Sequence, residues 1–154
     1  MSEPDIPPSA GALIAGLEDW LPDPITPEEW VGMMGNYDLA VGYSFLFWPS
    51  FVHFEGYILR EGFSESALRG FERSTGGHRA TVEWVMNHIH ISTIHCNEAA
   101  PPEIQMRHLG RVLKSIHEVK LRADFPELSF MVDFNDEPGL DPVDYQLSFT
   151  QTPL

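Results

Sequence analysis

The chain has one cysteine, Cys96, in 154 residues. An internal disulfide is therefore excluded, and the expected setting is a reducing, cytosolic one. Bases are scarce and confined. All nine Lys and Arg residues fall between Arg60 and Arg122, whereas 23 acids are spread along the chain and bring the net charge to −14. Residues 1–59 and 123–154 carry no base at all. Neutralising phosphates takes clustered Lys and Arg, so direct binding to nucleic acid or to an anionic membrane surface is not expected. Long apolar runs are also missing. The longest stretch without a charged residue, Leu39 to Phe54, contains Pro49 and His53 and is flanked by Asp38 and Glu55. It is too short and wrongly flanked to span a bilayer. The first residues, Met-Ser-Glu-Pro-Asp-Ile-Pro-Pro, lack the basic start of a secretory leader. Phosphate-binding glycine loops, a Cys-x-x-Cys pair and a Gly-x-Ser-x-Gly elbow are absent too.

What is present is enough for a core: 43% of residues are hydrophobic and 12% aromatic, which excludes a disordered chain. The first 26 residues read as an acidic, proline-rich N-terminal arm, with Pro4, Pro7, Pro8, Pro22 and Pro24 denying it long regular structure. An apolar patch, Leu13 to Leu17 followed by Trp20-Leu21, suggests that this arm docks on something. Residues 27–154 read as one domain.

Within it, Thr26-Pro27-Glu28-Glu29 carries a helix start with a capping box. The helix that follows places Trp30, Met33 and Met34 at core spacing and stops near Gly35. Val41, Phe45 and Trp48 fit a helical stripe over 37–48, while 51–59 stays open between helix and strand. This aromatic segment, 43–63, is expected to be core, with a homodimer face as the alternative. Helices are expected over 64–74 and 78–87, a strand over the β-branched run 89–94, and a long helix from Pro102 to Asp124. Its expected apolar face is Met106, Leu109, Val112, Leu113, Ile116, Val119 and Ala123. Alternation at Phe130-Val132-Phe134 and Tyr145-Leu147-Phe149 predicts a closing β-hairpin around the acidic loop 135–143. The fold class is α+β, with several helices packed on one face of a small antiparallel sheet.

Chemistry concentrates at Asn87 to Cys96, which holds three of the seven histidines and the cysteine. On a strand, His88 and His90 share a face about 6–7 Å apart, a spacing from which two imidazoles reach one divalent transition metal ion. Asp133 is the candidate third ligand, because strand parity points His95 the other way. Cys96 beside His95 lacks a placed base unless His117 or His53 approaches in space; a small buried side chain is the plainer reading. No other cofactor is expected.

The loop Asp133 to Asp144 alternates acids like a calcium loop but has Pro138 where the sharp turn needs glycine, so it reads as a solvated turn. Asp136, Glu137, Asp141 and Asp144 are its partner-binding candidates. On the long helix, Arg107, His108, Arg111, Lys114, Glu118, Lys120 and Arg122 form a mixed-charge surface suited to acidic groups, including the chain's own acidic ends.

The function expected first is a small, acidic, non-catalytic protein that binds another protein, cationic in character, in the manner of an inhibitor, antitoxin or immunity protein. A metal-binding protein or metal-dependent enzyme using the His-x-His pair is the second reading, and a structural homo-oligomer the third.

Overall fold

The computed structural model describes residues 7–19, 23–96 and 98–153. Pro4, Trp20, Leu21 and Pro22, noted above, lie outside them. The chain divides into two compact units, residues 1–44 and 45–154.

In the first unit the prolines leave only short elements. Helix α1 (Ala10–Leu13) is capped by the Ser9 hydroxyl, which accepts from the Ala12 N–H. A 3-10 turn over Ala15–Leu17 follows and buries Leu17. Helix α2 (Pro27–Met34) starts on the complete capping box: Thr26 accepts from the Glu29 N–H, and the Glu29 carboxylate accepts from the Thr26 N–H. Helix α3 (Tyr37–Phe47) begins where Asn36 accepts from the Leu39 N–H, and it runs on into the second unit. Met33 and Met34, expected to face a core from their spacing, are exposed by 49% and 60%. Helical periodicity marks a shared face; it does not say whether anything covers that face.

The second unit is α+β. Strands β1 (Phe51–Phe54) and β2 (Tyr57–Arg60) form an antiparallel hairpin. Its two-residue turn places both Glu55 (φ 50°) and Gly56 (φ 88°) in the left-handed region, as the tight hairpin turn matching strand twist requires. Helix α4 (Glu65–Thr75) is capped by Ser64 and ends on left-handed Gly76. Helix α5 (Arg79–Met86) follows. Strand β3 covers only Ile89–His90 before the chain turns into a 3-10 segment at Ile91–Thr93, so the strand expected over 89–94 stops after two residues. The turn is held by the Ile91 N–H donating to the Tyr145 carbonyl. Helix α6 (Glu103–Asp124) precedes β4 (Ser129–Phe134) and β5 (Gln146–Thr152), which make the expected C-terminal hairpin.

The second sheet runs β3-β5-β4, antiparallel throughout. Val132 opposes Phe149 and Phe134 opposes Leu147, and these side chains join Met106, Leu113 and Leu121 of α6 in the main core. The buried stripe of α6 is Met106, Gly110, Leu113, His117 and Leu121. It shares Met106 and Leu113 with the expected apolar face, but Val119 is 54% exposed. Gly110 and His117 belong to the stripe because Phe134 lies against Gly110 and the ring of Phe51 meets that of His117 at 5.7 Å. A second cluster, Tyr57, Leu59, Leu68 and Val82, fills the space between the first hairpin, α4 and α5.

Two polar side chains, one in α5 and one at its C-cap, join the two sheets. Glu83 and Asn87 are four residues apart and so share a helix face. Both are buried. The Glu83 carboxylate accepts from the Ile58 N–H at 2.8 Å, the Gln151 N–H at 2.7 Å, the Thr150 hydroxyl at 2.9 Å and the Gln151 side-chain amide. Asn87 accepts from the Arg60 N–H and donates to the carbonyls of Ile58 and Phe149. The outward backbone groups of β2 and β5, which lack a strand partner here, are thereby satisfied by side chains.

Candidate functional site

His88 and His90 come together. Their rings stand edge-to-face with centroids 4.8 Å apart. His88 follows the C-cap of α5, and its Nδ1 lies 2.6 Å from the Val85 carbonyl, one of the terminal carbonyls that a helix leaves open. His90 lies in β3, and its Nδ1 is 2.7 Å from the carbonyl of Val143. A carbonyl only accepts, so Nδ1 is the donor in both rings, and the tautomer this contact selects carries its lone pair on Nε2. Asp133 is exposed on β4, opposite Ser148. Among the described residues no three His, Cys, Asp or Glu side chains are placed to share an ion. His95 and Cys96 are exposed beyond the 3-10 turn, and the thiol is not a buried core group.

The acidic loop is anchored on α6. Asp136 accepts from the Arg107 Nε–H at 2.7 Å and from the Arg111 Nε–H, while the Asp136 carbonyl accepts from Arg107 at 3.2 Å. The hydrogen bond to Asp136 raises the pKa of Arg107 above the usual guanidinium range. Two arginines of the mixed-charge helix face, Arg107 and Arg111, thus engage one of the chain's own C-terminal acids, Asp136. The Tyr145 hydroxyl donates to the Glu137 carbonyl, and Asn135 donates to the carbonyl of Asp144, closing the loop on itself. The side chains of Glu137, Asp141 and Asp144 remain exposed.

Composition and spacing gave no sign of the polar site inside the second unit. His117 is 1% exposed; its Nδ1 lies 2.8 Å from the Leu113 carbonyl and its Nε2 has no partner. Burial pushes its pKa down to about 4, against the opposing effect of the Leu113 hydrogen bond and helped by the charge of Arg60. Arg60 is itself desolvated, with an unpartnered Nε, and its pKa is lowered by that burial. An open groove of about 270 Å³ lies beside α6 and β4, bordered by Glu118, Arg122, Leu128, Ser129, Phe130 and Val132.

The largest departure from expectation is on the surface. Val31, Met34, Tyr37 and Val41 are exposed by 59%, 60%, 91% and 56%. On α3, Tyr37 and Val41 are four residues apart and share a stripe. Further along that helix and just beyond it, Phe45 and Trp48 are exposed as well. No helix of the described residues is long and apolar enough to cross a membrane. Compared with protein-family models, with curated proteins and with solved structures, the chain matches none.

Proposed function

We propose that the chain is a non-catalytic, acidic protein that works by binding another protein, and that α2 and the first half of α3 carry the contact. The observation behind this reading is the run of exposed apolar side chains at Val31, Met33, Met34, Tyr37, Leu39 and Val41. Monomeric surfaces seldom leave such side chains uncovered in series, because each removes its apolar area from water when a partner covers it. The surrounding sequence is base-free from residue 1 to 59. A partner of complementary chemistry presents an apolar patch with a basic rim, and the acids steer its approach.

A photo-crosslinking residue at Tyr37 tests this in the native host. The expected result is a discrete adduct that Met34→Ser with Val41→Ser abolishes and that weakens at high salt. An adduct no stronger than that from a control position at Lys114, or one indifferent to both salt and the serine pair, would refute the reading. The homo-oligomer reading uses the same exposed side chains. It is favoured instead if the adduct is a dimer of this chain and light scattering shows twice the monomer mass at micromolar concentration.

A further inference from the structure

We propose that His88 and His90 form a two-imidazole clamp for a divalent transition metal ion, held through both Nε2 atoms with water in the remaining positions. The rings are oriented before any ion arrives. Val85 at the end of α5 fixes one and Val143, next to β5, fixes the other, each through a carbonyl on Nδ1. Backbone acceptors on the far nitrogen are the usual outer support of a metal-bound histidine: they set the tautomer and raise ligand basicity.

The separation suits the ion. Bonds of about 2.0–2.1 Å at a tetrahedral angle need two nitrogens about 3.3 Å apart. Ring centroids 4.8 Å apart allow this, since each nitrogen lies about 1.1 Å out from its centroid. Imidazole donors favour Cu²⁺, Zn²⁺ and Ni²⁺ over Mg²⁺ or Ca²⁺. His88 is exposed and His90 half-buried, so the ion has a path in. A chain of net charge −14 raises the local concentration of cations. This inference is independent of the protein-binding reading and stands or falls alone.

The test uses the untagged full chain. Zn²⁺ titrated into ¹⁵N-labelled protein should shift the Nε2 resonances of His88 and His90 together, ahead of those of the other histidines. Cu²⁺ added to a Cys96→Ser background should bind at one equivalent and show nitrogen hyperfine coupling from two imidazoles. His88→Gln and His90→Gln should each weaken binding by about tenfold or more and reduce the coupling to one nitrogen. His53→Gln and His95→Gln should change neither. Resonances of His88 and His90 that stay still in wild-type protein while another histidine moves, or affinity unchanged in both single variants, would overturn the proposal.

Discussion

Glu83 is the residue on which the second unit most depends. Four donors converge on its two oxygens, one from β2 (the Ile58 N–H) and three from β5 (the Thr150 hydroxyl and the backbone and side-chain N–H groups of Gln151). Glu83→Ala strands these donors away from water. The expected loss is about 3–5 kcal/mol, a large part of the stability of an ordinary domain. Urea denaturation should show the midpoint falling with an unchanged slope. Glu83→Gln should recover only part of the loss, since its amide group sets a donor against the Gln151 side chain. Nearby, His117 makes stability depend on pH. Its folded pKa, about 4, lies below the ordinary histidine value of 6.5. Above pH 6.5 both folded and unfolded chains leave it neutral. As pH falls from 6.5 toward 4 the unfolded chain takes up a proton that the folded chain refuses, so stability drops by about 3 kcal/mol over that window. His117→Met should flatten this part of the stability profile while the carboxylates still unfold the protein at lower pH. An equal slope in wild type and variant would show that His117 is not the group responsible.

At the scale of elements, α6 and the β4–β5 hairpin are fitted to each other at one point. A methyl group at Gly110 would overlap the ring of Phe134. Glycine in a helix interior normally costs about 1 kcal/mol against alanine. Gly110→Ala should therefore reverse the usual sign and destabilise by about 1–3 kcal/mol, read as a lower melting temperature. Gly70, in α4, has no atom near its added methyl, so Gly70→Ala should gain stability instead. Most elements were legible. The capping box at Thr26–Glu29, the Ser64 cap with its Gly76 stop, the long helix ending at Phe125-Pro126 and the alternating C-terminal strands all carry local signals. The strand expected over 89–94 stops after His90 because β-branched residues favour extended backbone only where a partner strand continues. Here β5 pairs with Ile89 and His90 alone, and the Tyr145 carbonyl then draws the chain into a turn. The first hairpin was illegible because its turn is Glu55-Gly56, without the Asn or Asp that usually announces a left-handed pair.

For the whole molecule, charge and apolar exposure point the same way. Bases are confined to residues 60–122, and two of the arginines are already committed to Asp136. The exposed acids therefore dominate the electrostatic field around the chain. The apolar side chains of Val31, Met33, Met34, Tyr37, Leu39 and Val41 add little to folding, since they are exposed. A chain carrying Met34→Ser, Tyr37→Ser and Val41→Ser should accordingly melt within about 6 °C of wild type, because surface changes typically stay within about 0.5 kcal/mol each. The same chain should lose the crosslinked adduct. A melting temperature lowered by about 10 °C or more would instead place these residues in a core and remove the basis for the surface.

The sequence by itself determined the α+β class, most helix and strand positions and the charge layout. Each of these depends on spacing or composition along the chain. Only the tertiary structure decided which apolar stripes are covered, that Asp136 belongs to Arg107 and Arg111, and that Glu83, Asn87 and His117 sit inside. Burial and partner choice depend on residues brought close from 25 or more positions away, such as Glu83 with Gln151 across 68 residues. A helical stripe of Met and Val reads the same whether it faces a core or water, because periodicity records a face and contact alone gives it a neighbour.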